Sequence, residues 1–198
     1  MQSKKSIFIL IFFVYLNTNA QETKTLLDTT NWKNVGFMAL SGFNYSKIDK
    51  SNAVLIHLRS GIVIKDKITI GGFLNTSVND IIPKSETIPG IYLDYKTYGF
   101  FCEYTIFSNN LVHATFPVLI GGGELEMNEY EADLNLGEVH FFNVEPGVFL
   151  ELNIYKYIRF NVGFTYRFIG NVNYRNMNQS NISGFSGQIG LKFGVFNW

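Results

Sequence analysis

The chain has 198 residues, a length that suits one domain, and its 16 Lys and Arg balance its 16 Asp and Glu, so the formal net charge is zero. Because there is no basic excess, the composition gives no support to binding of nucleic acid or of an anionic bilayer surface. The single cysteine, Cys102, excludes an intramolecular disulfide framework and a cysteine-clustered zinc site.

Residues 1–20 have the pattern of a secretory signal peptide. Two lysines precede an uninterrupted apolar segment at residues 7–16, and small residues ending at Ala20 form a cleavage site. This segment is too short to span a bilayer core of about 30 Å as a helix, and no later apolar run reaches the required length. We therefore expect residues 21–198 to form one exported domain, either soluble or a membrane β-barrel.

Alternation of apolar and polar residues predicts eight strands in the exported domain. It is clearest at residues 142–154 and 158–168, which are long for a globular strand but match a tilted transmembrane strand of ~9–11 residues plus its rims. Aromatic residues make up 16% of the chain, an enrichment typical of strands and of membrane boundaries. The predicted strands lie at residues 35–45, 53–64, 68–79, 92–107, 111–123, 139–153, 157–168 and 184–196.

The connections between the predicted strands alternate in length. Short turns join strands 2–3, 4–5 and 6–7, at residues 65–67, 108–110 and 154–156. Longer polar segments join strands 3–4, 5–6 and 7–8, at residues 80–91, 124–138 and 169–183, and the segment 46–52 between strands 1 and 2 is intermediate. Turns at one end and loops at the other are typical of outer-membrane barrels, whose turns are periplasmic. We therefore predict an all-β, eight-stranded antiparallel up-and-down transmembrane β-barrel with both termini on the side of the turns.

Two segments, residues 113–123 and 144–148, resemble strand sequences of the small outer-membrane barrel proteins of Gram-negative bacteria, the porin-like family that includes outer membrane proteins A, W and X. The resemblance covers the whole mature chain and rests on pattern. It implies residence in the cell outer membrane, contact with outer-membrane lipid, and recognition of the C-terminal strand by the barrel-assembly machinery through a terminal aromatic residue, here Trp198. The apolar positions from Ile189 to Val195 are out of phase with Trp198, so either a bulge near Phe196 shifts the register or the signal is weak.

Charged residues occupy the face of the strands that we assign to the barrel interior. An outward charge near the bilayer midplane would cost ~2–4 kcal/mol, and an eight-stranded barrel is just wide enough for side chains to fill it. We predict that these charges pair and plug the lumen: Arg59, Glu103, Glu145, Glu151, Arg159, Arg167 and Lys192, with His57 and His113 beside them. The alternatives are a narrow polar path for small solutes and a catalytic carboxylate pair. Six inward glycines are expected to relieve crowding: Gly61, Gly71, Gly99, Gly147, Gly163 and Gly190.

Two of the predicted loops carry candidate binding groups. Segment 124–138 is acidic, and its oxygen ligands suit Ca²⁺, although the spacing does not match the Asp-x-Asx-x-Asx-Gly motif and a solvated acidic loop is the alternative. The residues of this possible cation-binding loop are Glu124, Glu126, Glu129, Glu131 and Asp133. Segment 169–183 is rich in Asn, which suits carbohydrate, and His140 is a candidate base with no serine nucleophile placed beside it.

We expect a non-enzymatic, monomeric outer-membrane barrel that serves envelope structure or surface interaction, with no cofactor and no nucleic-acid partner. Three alternatives remain open at this point. One is a narrow pore, and another is a lipid-modifying outer-membrane enzyme, which would need a His-Ser/Glu constellation at one rim. The third is a soluble periplasmic barrel, in which the apolar face would point inward.

Overall fold

The computed structural model describes residues 35–129, 134–170, 172–174 and 176–196, so the predicted signal peptide at 1–20 and Trp198 lie outside the described residues. In chain order the elements are β1 (Val35–Ile48), β2 (Ser51–Ile64), β3 (Ile68–Ser77), β4 (Ile91–Ile106), β5 (Val112–Glu129), β6 (Leu134–Tyr155), β7 (Ile158–Gly170), β8 (Asn173–Tyr174), β9 (Met177–Asn178), α1 (Gln179–Ile182) and β10 (Gly184–Gly194). Within these described segments, no helix has the length and hydropathy needed to cross a membrane.

Eight of the strands form one closed antiparallel barrel. Strands β1 to β6 each pair with the next strand along the chain, and β10 pairs with both β7 and β1. Closure leaves no edge strand with unpaired backbone groups, which a bilayer would not tolerate. The two-residue strands β8 and β9 pair separately in the connection between β7 and β10. The predicted eight-stranded up-and-down barrel is confirmed.

The connections separate into two ends of the barrel, as predicted. We call the end with the β2–β3, β4–β5 and β6–β7 turns the turn side, and the opposite end the loop side. On the loop side, residues 78–90 join β3 to β4, and residues 171–183 join β7 to β10. The intermediate connection expected between strands 1 and 2 is wrong, because Asp49 and Lys50 alone make a tight turn with φ of 46° and 62°.

The loop predicted at residues 124–138 is also wrong, because most of it is paired strand. Strand β5 continues to Glu129 and β6 begins at Leu134, with Glu124 opposite His140 and Glu126 opposite Glu138. Alternation continues here, with acidic groups outward and apolar side chains such as Leu125 inward and buried. The inward apolar side chains pack inside the loop-side end of the barrel. The β5–β6 hairpin therefore extends beyond the last outward apolar residues.

The two faces of the barrel have opposite chemistry. The outer face carries a belt of exposed large apolar side chains, among them Phe100 at 77% and Phe164 at 70% exposure. The inner face holds the charged and amide side chains, nearly all of them buried. This orientation confirms the predicted assignment of faces and is the reverse of what the soluble alternative requires. Exposed apolar area on this scale is stable in hydrocarbon and costly in water.

Inward glycines allow adjacent strands to approach closely where the barrel coils. Gly71 lies opposite Gly61, and a Cβ at Gly71 would come within 1.9 Å of the Ser60 carbonyl oxygen. The neighbouring Gly72 points outward, and a Cβ there would have its nearest contact at 3.6 Å, with the Gly99 carbonyl oxygen. The close contact between β2 and β3 therefore requires glycine at the inward position 71 and does not require it at the outward position 72.

Candidate functional site

The lumen is the candidate site, and all seven of the predicted charged residues lie in it. Their side chains come from β2, β4, β6, β7 and β10, and each residue is at most 6% exposed. Alternation along each strand places them inward, since every second residue of a strand shares a face. How they pair, however, differs from one part of the lumen to another.

Lys192 is the centre of the ion-pair network. Its Nζ donates to Glu103 Oε1 at 2.7 Å and also contacts the Glu151 carboxylate. Arg59 approaches the second oxygen of Glu103, with Nη1 at 3.5 Å from Oε2. The guanidinium of Arg59 also lies 5.1 Å from the centre of the Phe149 ring. Lys192 of β10 thus reaches across the lumen and bridges a carboxylate of β4 and one of β6.

Arg159 closes the network at the turn side. It contacts Glu151 at 3.8 Å and pairs with Asp66 of the β2–β3 turn, with Nη2 at 3.1 Å from Oδ1. His113 lies at 3.1 Å from Glu151 through Nε2. The ring of Phe196 packs on the guanidinium, 3.5 Å from ring centre to Cζ. Burial raises the pKa of Asp66, and the charge of Arg159 opposes that shift.

Asp66 was missed from the sequence, because a Lys-Asp-Lys turn suggests only a solvated connection. The signal for it is weak: three residues of a short turn give no inward or outward phase.

The C-terminal strand gives a further finding, since Val195 is exposed and Phe196 is buried on Arg159. The alternation therefore continues as far as Phe196, without a register shift among the described residues.

Glu145, a predicted member of the network, has mainly neutral hydrogen-bond partners. Glu145 accepts hydrogen bonds from the Thr165 hydroxyl and, at 3.4 Å, from Gln188 Nε2. The other end of the Gln188 amide accepts from Arg59 Nη2 at 2.9 Å, which links Glu145 to the network through an amide. The expectation that all seven charges pair directly with one another is corrected for Glu145, because a hydroxyl and an amide satisfy it, and for Arg167, which donates to neutral oxygens.

Arg167 serves the loop side rather than the carboxylates of the network. Its Nε donates to the Ile182 carbonyl oxygen at 2.8 Å, and its Nη2 donates to Ser46 Oγ at 3.2 Å and to the Lys47 carbonyl oxygen at 3.3 Å. The guanidinium lies 5.0 Å from the ring centre of Tyr95. Arg167 therefore fastens the segment around α1 to the strands beneath it.

A buried apolar cluster, which we call the cap, fills the loop-side end of the lumen. Its strand residues point inward, and Tyr95 stacks on Phe141 with ring centres 5.7 Å apart. Ile81 and Ile182 enter it from the two long connections and are fully buried. The cap comprises Ile48, Ala53, Leu55, Ile81, Ile91, Leu93, Tyr95, Leu125, Met127, Phe141, Ile169, Val172, Met177 and Ile182. The cap was not predicted from the sequence, because only the charged inward residues were used to assign the lumen. The change from polar to apolar inward positions along β5 is the sequence signal that indicates it.

Asp49 holds the two long connections together above the cap. Its carboxylate accepts from the backbone N–H and hydroxyl of Ser85 at 2.6 and 2.8 Å, and from Asn181 Nδ2 at 2.7 Å. Its backbone N–H donates to the Asn181 carbonyl oxygen at 2.6 Å. A charged acceptor with several donors fixes the geometry strongly. The β1–β2 turn, the β3–β4 connection and the segment around α1 thus form one assembly.

The predicted cation-binding residues are only partly in the described part of the chain. Glu124, Glu126 and Glu129 belong to β5, whereas Glu131 and Asp133 lie outside the described residues. The carboxylate of Glu124 accepts from the Tyr98 hydroxyl at 3.0 Å and lies 3.9 Å from Lys96 and 4.0 Å from His140. Among the described residues, no group of three or more His, Cys, Asp or Glu is placed to hold a metal ion. The cation site stays a prediction.

No protein-family model matches the chain, and no curated protein matches it. Solved structures do share its fold. Neisserial surface protein A (NspA) superimposes with a TM-score of 0.57 at 13% identity, covering 80% of this chain and 96% of that chain. Ail, the attachment invasion locus protein of Yersinia pestis, gives a TM-score of 0.50 at 11% identity, covering 81% of this chain and 98% of that chain. At these identities the likeness establishes the fold.

Proposed function

Because the chain has the fold of small bacterial outer-membrane β-barrel proteins, we propose that it is a non-enzymatic outer-membrane barrel with a closed lumen. It serves envelope structure or surface interaction through its loop side. The filled lumen is the observation that carries this proposal.

Two different barriers support closure of the lumen. The polar barrier is the network around Lys192, in which removing one partner of a buried ion pair costs about 3–5 kcal/mol. The apolar barrier is the cap, where fully buried side chains such as Leu93 and Leu125 leave a solute no polar partner. A cavity of about 450 Å³ opens at the turn side, and Arg159 and Phe196 line it. A solute entering there would meet both barriers in series.

The outer belt supports a position within a bilayer. Apolar rings such as Phe100 and Phe164 face outward along the strands, while the outward charged groups Lys96 and Glu124 lie toward the loop side. Charges beyond the belt avoid the ~2–4 kcal/mol cost of a charge near the midplane. The orientation that we propose has the turns in the periplasm and the loop side at the cell surface.

The remaining parts of the proposal concern export and assembly. Residues 1–20 act as a cleavable signal peptide, and residues 21–198 form a monomeric barrel in contact with outer-membrane lipid. The assembly machinery reads the C-terminal strand, whose outward residues from Ile189 to Val195 are exposed and apolar.

Conductance across planar lipid bilayers tests the closed lumen. The purified protein is reconstituted and recorded beside a general porin as the control for insertion. We expect no steady channels from this protein, because both barriers remain in place across the recording voltages. Steady, sizeable channels would overturn the closed lumen and favour the narrow-pore alternative.

Two separate measurements test the other parts. Membrane fractionation with gel mobility before and after heating tests the placement, which recovery in the soluble fraction without a mobility change would refute. Mass spectrometry of lipid A with and without expression tests the absence of lipid-modifying activity. A mass shift of one acyl chain would favour the enzyme alternative.

A further inference from the structure

A groove lined by aromatic and polar side chains lies on the outside of the barrel. It has a volume of about 850 Å³ and lies at the loop-side ends of β1, β7 and β10. In the sheet, Gly187 of β10 is opposite Tyr45 of β1 on one side and Phe164 of β7 on the other. A Cβ at Gly187 would meet nothing within 4 Å, so the glycine leaves a trough between the two rings.

The walls of the trough are aromatic and open to the outside. Phe164 is 70% exposed, and Phe185, next to the trough on β10, is 73% exposed. Exposed outward rings of this kind are typical of the lipid-facing surface of membrane barrels. The trough therefore faces the acyl chains of the bilayer and can accommodate one of them.

The loop-side end of the same groove is cationic and polar. Lys47 and Lys50 both line it and are exposed, and Asn178 and Ser180 border it. No acidic side chain lines the groove in the described part of the chain. The nearby Asp49 carboxylate is buried, accepts three hydrogen bonds from Ser85 and Asn181, and is not among the lining residues.

We propose that this groove binds a phosphate-bearing lipid of the loop-side leaflet. The phosphate lies between Lys47 and Lys50, and one acyl chain lies over Gly187 between Tyr45 and Phe164. A lysine ammonium binds phosphate as a point charge, and long lysine side chains reach from apolar surface to the head-group level. The inference rests on the proposed placement in a bilayer and is independent of whether the lumen is closed.

Both parts of the groove are needed for the assignment to a lipid. Two exposed lysines alone hold a free phosphate weakly, because hydration and salt screen surface charges. The trough adds contact with an acyl chain that a free phosphate does not have. Recognition therefore requires a phosphate and an acyl chain in the same molecule.

Native mass spectrometry of the full barrel in detergent micelles tests the site. The two probes are lipid A carrying its phosphates and the same lipid with the phosphates removed. We expect the phosphorylated lipid to bind more tightly, and Lys47→Gln/Lys50→Gln to weaken its binding about tenfold by removing both charges. Gly187→Leu fills the trough and should weaken binding of both probes by a similar factor.

Matched variants separate the groove from general effects of charge and bulk. Lys65→Gln/Lys67→Gln makes the same charge change on the turn side, where Lys65 also has a positive φ, as Lys50 does. Gly170→Leu adds the same bulk at a β7 glycine whose surroundings are equally open. Both controls should bind within about twofold of the unmodified protein. Gel mobility before and after heating confirms that each variant is folded.

Three outcomes would overturn the proposal. The first is equal binding of the two lipids by the unmodified protein, and the second is an equal loss in the control variants. The third is displacement of the lipid by inorganic phosphate alone, which would identify a site for a soluble anion. Absence of lipid selectivity in an unmodified barrel that still fractionates with membranes would refute this site only, and recovery as a soluble protein would refute the placement itself.

Discussion

Replacing Lys192 by Met should destabilise the barrel by about 3 kcal/mol, the lower end of the cost of breaking a buried pair. The ammonium is 2.7 Å from Glu103 and also contacts Glu151, and both carboxylates are fully buried. Met keeps most of the volume but leaves two carboxylates without their shared cation. The lower end applies because Arg59 remains beside Glu103 and Arg159 remains beside Glu151. Urea unfolding in phospholipid vesicles, followed by gel mobility, measures the free energy of unfolding.

Lys96→Met is the matched control for this substitution. Lys96 is half-exposed and lies 3.9 Å from Glu124, so its loss should cost less than about 1 kcal/mol. Adding Glu103→Gln to Lys192→Met should recover at least about 1 kcal/mol, since it removes one of the two buried negative charges that Lys192 neutralised. If Lys192→Met is no more destabilising than Lys96→Met, the network does not hold the lumen together as described.

Three further substitutions test other parts of the barrel. Gly71→Ala should lower the free energy of unfolding by about 1–3 kcal/mol, because the added methyl group forces β2 and β3 apart. In the same urea titration, the outward substitution Gly72→Ala should change it by less than about 0.5 kcal/mol. Equal effects of the two substitutions would contradict the close approach of the strands at Gly71. Burial raises the pKa of Asp66, so its ionised form disfavours folding and stability should rise as pH falls through the raised pKa. Asp66→Asn should therefore match or exceed the unmodified protein at pH 7, with the difference vanishing on acidification; a variant less stable at pH 7 would show that the pair with Arg159 dominates. Asp49→Asn keeps a residue that tolerates positive φ but places an amide where the carboxylate accepts from Ser85. Hydrogen exchange at the Ser85 N–H should therefore accelerate, while the strand amides stay protected. Unchanged exchange at Ser85 would contradict the role of Asp49 in holding the connections together.

The number of strands and the direction of their side chains could be predicted because alternation is a local property. A residue such as Arg159 or Glu151 shows its face by its position between outward apolar neighbours, and the bilayer makes that alternation strict. The predicted ends of β5 and β6 were wrong, because the acidic outward residues there have the pattern of a loop. Strand pairing continues there because the inward Leu125 and Met127 still pack into the cap.

The partners inside the lumen could not be predicted from the sequence. Lys192 and Glu103 are 89 residues apart, and their contact depends on how far the strands are staggered when the barrel closes. The stagger is a property of the whole sheet, so no single strand carries it. For the same reason the hydrogen bonds that Glu145 accepts from Thr165 and Gln188 could not be predicted.

The sequence alone determined an eight-stranded barrel with an apolar outside, a charged inside and its turns and loops at opposite ends. Period-2 patterning and connection length are enough for that, because both are read along the chain. Only the tertiary structure decided that the loop-side end is capped by Ile81 and Ile182 and held by Asp49. These contacts join connections that are distant in sequence and have no periodicity of their own, and they exist only once closure of the barrel brings its loops together above the lumen.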